Sequence, residues 1–431
     1  MLSKERNRIA DSGPGGNIKY SLTLEVNDEQ LNALSITTLV IERKYLTAKG
    51  DYLYVDALFL QQDVKKIYTY RANLKCTLSH TFNNTKYSQE FKVVLGEANH
   101  RFKNESNLNS HSKELAKEPP IMLSLQLIDW STLILDSINI NPFSIEKDST
   151  IEDMLTSAWA RTKKDVDKVH KDKVKGELKL ILSKPDNMRK YPNLMASNGN
   201  TIFKLIKDSQ VKSGQGIYNG GICIYLQKVG RNNLLHVFPP FRLDRTSKIL
   251  KVFSLSNVEV QTLKNTYIDS SSALEILVGD IDAIDDRMHE RIINKGNAID
   301  IVDADTMMKR PYIKKENGDV DAKKDNIRIK HVHELKKDGI VRPAKSQLTN
   351  NLYDARSHVL SEQGSKVTVT WRSSNPDIIT PGMGCTFIHI NMGNDIEELN
   401  GVVLGTYTAY DEATKNCLTL IHMFVENYKQ K

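Results

Sequence analysis

Alternation of apolar and polar residues dominates the first third of the chain. Tyr20, Leu22, Leu24 and Val26 share one parity and Ser21, Thr23 and Glu25 the other, which predicts a half-buried strand. Further strands are expected at 36–41, 51–58, 66–71, 74–79 and 89–95, with Asn83-Asn84 turning between the last two. After a long polar stretch at 97–120, Ile121, Leu123, Leu125 and Leu127 resume the alternation, and a short strand is expected to end near Ile140. Short strands at regular intervals imply a barrel or sandwich. The first β domain is placed at 18–141. A flexible arm, 1–17, precedes it and ends in the breaker run Gly13-Pro14-Gly15-Gly16.

The period changes near Pro142. Ser149 with Glu152 three residues on has the form of a capping box, and Ile151, Leu155, Ala158 and Trp159 then recur at helical spacing. Asn200 can cap a second helix bearing Ile202, Leu205 and Ile206. A glycine-rich loop at 213–221 leads to a hairpin with strands at 222–227 and 234–238. The region 142–345 is therefore read as an α+β outer domain, with a charged insertion at about 280–345. The last region, 346–431, is read as a helix at 352–363 followed by a second β domain. Val367, Val369 and Trp371 share a strand face, and Thr380-Pro381-Gly382-Met383 is a turn feeding a strand at 385–390. A polar loop at 391–400 follows, then a strand at 401–407, a hairpin tip at 411–416 and a closing strand at 418–425.

Charge and chemistry change this picture little. The 431 residues suit two to four domains, and a net charge of +7 permits contact with an acidic surface without arguing for one. Four cysteines lie far apart, each in or beside an apolar strand, and read as buried free thiols. No run of about 18 apolar residues is present, and the first twelve residues have no apolar core. His331, His333 and Glu334 lack the i, i+4 histidine spacing of a zinc protease. The acidic clusters at 280–286 and 300–305 do not have the form of a calcium loop. Phosphate-binding and nucleophile-elbow motifs are missing. The chain is thus read as a non-enzyme with no catalytic, cofactor or metal residues.

The order of these regions resembles the central hub protein of contractile phage baseplates, of the type found in T-even phages. The resemblance is carried by the strand with Ile36-Thr37-Thr38-Leu39, by the helix from Ile202 with its following hairpin, and above all by residues 353–427. In that last stretch the marking positions are Thr380, Pro381, Gly382, Phe387, Gly401, His422 and Phe424. The resemblance implies a β-rich α+β fold with two antiparallel β-barrel domains like the tail-tube protein, plus an α+β middle region. It implies a homotrimer in the virion, assembled in the host cytoplasm. Six barrels would then join a sixfold tail tube to a threefold central spike, beside surrounding wedge proteins. DNA would pass through the channel without specific binding, and no cofactor is implied. Two alternatives remain open at this point: the hub of a related contractile injection system, and a glycan-binding tail component.

Overall fold

The computed structural model describes residues 2–12, 18–82, 85–96, 120–145, 147–196, 199–211, 216–230, 232–242, 248–261, 263, 265–279, 281–285, 364–390, 395–412 and 416–426. The expected helix at 352–363, most of the charged insertion, nearly all of the stretch at 97–120, and His331, His333 and Glu334 lie outside them. The fold is α+β and β-rich, as the alternation implies.

The first third runs α1 (Leu2–Ala10), β1 (Ile18–Val26), β2 (Glu29–Asn32), β3 (Ser35–Lys44), β4 (Tyr52–Phe59), α2 (Gln61–Thr69), β5 (Lys75–Phe82), β6 (Thr85–Leu95) and β7 (Ile121–Asp129). The strands form a ring. β1 pairs with β5, β5 with β6, β6 with β7, β7 with β4 and β4 with β3, all antiparallel. β2 pairs with β1 on its other edge. β2 and β3 are two halves of one strand that changes partner. Between them the Ala33 amide donates to the Leu22 carbonyl at 2.9 Å and the Leu34 amide to the Leu58 carbonyl at 2.8 Å. The hydrogen-bond path thus returns to its start. Inward residues of every strand meet in one cluster, among them Leu24, Val55, Phe91 and Leu125, with Val64 and Ile67 of α2 packed against them.

Two expectations fail here. Residues 66–71 are not a strand, because Val64 and Ile67 bury one face of α2 at helical spacing while Lys65 and Lys66 face out. The residues expected as a flexible arm include helix α1, whose Leu2 and Ile9 pack against Phe253, Leu255 and Leu277. The Asn265 amide group donates to the Ile9 carbonyl at 2.9 Å, and Arg8 pairs with Glu275.

The middle unit contains α3 (Trp130–Ser137), β8 (Phe143–Ile145), α4 (Ile151–Val169), β9 (Glu177–Leu182), β10 (Leu194–Ala196), α5 (Ile202–Val211), β11 (Cys223–Val229) and β12 (Asn232–Phe238). α3 takes the place of the strand expected near Ile140, since the Asp129 side chain accepts from the Thr132 amide at 3.1 Å and starts a helix. The capping box of α4 falls one residue later than expected. The Thr150 hydroxyl accepts from the Asp153 amide at 3.2 Å, and the Asp153 carboxylate accepts from the Thr150 amide at 2.8 Å. Ser149 is instead bridged to Tyr191. The three helices pack Leu135, Leu155, Trp159, Phe203 and Ile206 onto the sheet of β11, β12 and β9.

The last part contains β13 (Ile249–Ser254), α6 (Asn257–Gln261), β14 (Tyr267–Asp269), β15 (Ala273–Val278), β16 (Ile281–Asp285), β17 (Gly364–Arg372), β18 (Gly384–Ile390), β19 (Ile396–Asp411) and β20 (Asn416–Glu426). It is a second ring. β13 pairs with β18, β18 with β19, β19 with β20, β20 with β17 and β17 with β16. β15 leads into β16 and pairs back onto β13. At the change of partner the Gly279 amide donates to the Thr370 carbonyl at 3.2 Å. The ring therefore draws strands from before the expected boundary at 346. β19 also starts inside the expected loop at 391–400, where Ile396 to Asn400 pair with β18.

The two rings have one strand order. With each partner-changing strand counted once, and β14 left out because it pairs only with the outer edge of β15, both run first, second, third, sixth, fifth, fourth in chain order. Direction agrees for five strands. The first differs: β1 is antiparallel to both its neighbours and β13 is parallel to both.

Candidate assembly site at the junction of the two rings

β19 joins the rings. One of its edges carries β20 from Gly401 to Asp411. The other carries β18 from Ile396 to Val402 and then β3 of the first ring from Gly405 to Tyr410. A bulge between Val403 and Gly405 marks the switch. A bulge inserts a residue and re-aims the strand, which lets one strand serve two sheets. Gly405 is required there, because a Cβ would sit 2.4 Å from the Arg43 carbonyl oxygen. The Leu404 carbonyl accepts from the Tyr45 amide at 3.1 Å, and the Val403 amide donates to the Met383 carbonyl at 2.9 Å.

Each ring lends side chains to the other's core. Tyr410 and Cys417, at the tip of the β19–β20 hairpin, lie in the first-ring cluster, where Tyr410 meets Tyr20 edge-on at 4.8 Å. Tyr45 and Ala48, just past β3, lie in the second-ring cluster beside Tyr225 of the middle unit. Tyr45 and Tyr225 are also edge-on, at 5.0 Å.

A charged group sits between these exchanges. Arg43 is only 4% exposed. It donates to Asp51 at 3.0 Å and to Asp377 at 2.6 Å, so it ties β3 to the segment before the Pro-Gly turn. Burial disfavours its charge, but Asp51 and Asp377 outweigh that and hold its pKa well above the usual range. The Tyr225 hydroxyl donates to the other Asp51 oxygen at 2.6 Å. Tyr45 and Gln227 both donate to the Ile379 carbonyl, at 3.4 and 2.8 Å. Three parts of the chain thus share one buried polar network. Nothing in it is arranged as nucleophile and base; the groups are donors and acceptors that hold each other in place. Among the described residues no group of three or more His, Cys, Asp or Glu could hold a metal ion.

The marking residues fall on two sides of this junction. Thr380, Pro381 and Gly382 form a turn closed by the Met383 amide donating to the Thr380 carbonyl at 3.1 Å, with Gly382 at φ +63°. That is a type II pattern, with proline setting the second position and glycine taking the positive φ of the third. The turn delivers Ile379 to the network. Phe387 is fully buried in the second-ring core and stacks on His389 at 5.0 Å. Phe424 lies on the opposite face of the sheet from that core, and Gly401 lies tight against its backbone, where a Cβ would be 2.1 Å from the Phe424 carbonyl oxygen. Phe424 packs edge-on against Phe241 of the middle unit at 4.9 Å, beside Val402, Leu404 and Leu46. The His422 ring lies 2.9 Å from the Thr368 hydroxyl, and burial pushes its pKa down.

Sequence reasoning missed Arg43, Asp51, Asp377, Tyr45, Tyr225 and Gln227. One signal for Arg43 was present. Leu39, Ile41, Arg43 and Tyr45 share a parity, so a charged residue stands on the inward face of an otherwise apolar strand. Such a residue needs a buried partner.

No family model matches the chain, and no curated protein matches it. Solved structures do. A tail protein from Neisseria meningitidis aligns at 13% identity over 95% of this chain and 97% of that one, with a TM-score of 0.41. A 43 kDa prophage tail protein from Shewanella oneidensis aligns at 9% identity over 95% and 100%, with a TM-score of 0.43. An Escherichia coli component of the type VI secretion system, itself described as similar to T4 bacteriophage tail proteins, aligns at 9% identity over 94% and 77%, with a TM-score of 0.39. All three TM-scores are below 0.5, and the functional reading rests on the topology of this chain.

Proposed function

We propose that this chain is a structural hub of a contractile-tail baseplate, working as a homotrimer. The observation that supports it is the pair of rings with one strand order, fused through β19. A trimer of such chains presents six similar rings around one axis. A threefold spike on one side and a sixfold tube on the other then meet matching symmetry on the same body. The first ring, the middle unit and the second ring act as three domains. The middle unit, on the outside, meets the surrounding wedge proteins, and the tail-tube and spike proteins meet the two ends of the ring. DNA crosses the central channel without base-specific contact. No turnover is involved: the polar network at Arg43 sets the angle between rings rather than acting on a substrate.

Light scattering on the purified chain across a concentration series tests this. The chain is 48.9 kDa, and three copies give about 147 kDa. A stable mass near that value is expected. A strict monomer, also in the presence of the spike protein, overturns the proposal.

A further inference from the structure

In both rings the third and fourth strands lie across from each other, so the connection between them crosses one end of the ring. In the second ring this connection runs from β17 to β18 through a 3-10 turn, Pro376–Ile378, and it touches the other ring. Asp377 pairs with Arg43 on β3, and the Ile379 carbonyl accepts from Tyr45 just past β3. In the first ring the same connection runs from β4 to β5 through α2 and a second 3-10 turn, Arg71–Asn73. Val64 and Ile67 turn into the core, but every residue from Tyr68 to Asn73 is exposed, Tyr68 at 36% and Tyr70 at 45%. Lys66 is held by Glu29 of β2 at 2.6 Å, and Lys65 is exposed beside it.

We propose that this surface, formed by Lys65, Tyr68, Tyr70 and Arg71, docks on the second ring of a second copy at β16, repeating between chains the contact that the second ring's connection makes with β3 within one. β3 and β16 are the second halves of the two partner-changing strands, and the two connections join equivalent strands. Charges are opposite at both places, with the signs exchanged. Within the chain the connection brings Asp377, its only charged residue between 373 and 383, and β3 brings Arg43. Between chains the connection brings Lys65 and Arg71, and β16 reads Ile-Asp-Ala-Ile-Asp, with Asp282 and Asp285 and no cation. Tyrosine and arginine are also the residue types that dominate binding energy once a partner buries them. The contact is head-to-tail, and such contacts build a closed ring when the rotation closes. The inference rests on the trimer reading and adds the surface by which the copies touch.

Solution mass and hydroxyl-radical footprinting of the full chain test it. In the wild-type trimer Tyr68 and Tyr70 are expected to be oxidised several-fold more slowly than in copies dissociated by dilution. Tyr70→Ala, and Lys65→Glu combined with Arg71→Glu, are each expected to weaken trimer formation at least about tenfold. The melting temperature of the free copy should not change, because these side chains are exposed. Adding Asp282→Lys and Asp285→Lys to the charge-reversed variant makes the charges opposite again and is expected to recover the trimer. Variants that assemble as tightly as the wild type, or tyrosines oxidised freely in a wild-type trimer, overturn the surface and leave the trimer standing. Loss of the trimer without recovery on the exchange of charge overturns β16 as the receiving strand, and the proposal with it. A wild-type monomer overturns the trimer itself and the surface with it. If the charge-exchanged variant fails to fold, the wild-type footprint decides.

Discussion

The first ring runs from β1 to β7 with residues 96–120 between β6 and β7, whereas the second carries a longer stretch, 286–363, between β16 and β17. Both reach the same strand order, yet β13 runs opposite to β1 relative to its neighbours. A ring needs inward parity and paired edges at every strand, and both parallel and antiparallel ladders supply them. The chain enters the second ring from the middle unit, and the ring takes that strand in the direction it arrives. Order is therefore the shared property and direction is not.

The comparison predicts where damage spreads. The largest effect is expected from core truncation. Trp371→Ala, in the fully buried second-ring core, should cost about 3–5 kcal/mol, and Phe91→Ala in the first ring a similar amount. Because each ring holds side chains of the other, both should melt in one calorimetric transition. Two resolved transitions would separate the rings energetically.

Arg43→Ala comes next. It leaves Asp51 and Asp377 without their shared cation and should cost about 3–5 kcal/mol at most, read by denaturant unfolding. A loss under about 1 kcal/mol would mean that the network is hydrated rather than structural. Gly405→Ala forces β3 and β19 apart and should cost about 1–3 kcal/mol. Its signature is faster exchange at Val40 to Lys44 than at β17, since only the joint is disturbed.

Leu404→Asp and Leu420→Asp sharpen the comparison further. Leu404 is buried in the small cluster with Phe424, whereas Leu420 is half-buried, so the first should lower the melting temperature more than the second.

The smallest effect concerns acid. Burial pushes His80 below its ordinary pKa of 6.5, against the pull of Asp377. His422 is lowered likewise, against Glu42. The unfolded chain then binds more protons as pH falls. This contribution is full above about pH 6.5 and is lost as pH drops through the lower folded values. Thermal melts of His80→Gln should lose less stability than wild type between pH 7 and pH 5, about the range in which histidine titrates.

Much of this was legible before the structure. The alternating strands of the first ring, the Pro-Gly turn and the β19–β20 hairpin each announce themselves locally, through parity or turn chemistry. α2 did not, since only Val64 and Ile67 mark its face in nine residues. α1 failed for the same reason, with Leu2 and Ile9 as its buried residues. The second ring was split wrongly because β13 and β15 look like any short apolar strand until β18 lies beside them. The Arg43 network was least legible, as its carboxylates come from positions 51 and 377 and only the fold brings them together.

Single-particle electron microscopy of the purified assembly tests the central claim most directly. Three chains carrying two equivalent rings each should give a threefold particle with six similar lobes around an open channel. A particle with three lobes, or one in which the two rings of a chain lie at different radii from the axis, would contradict it.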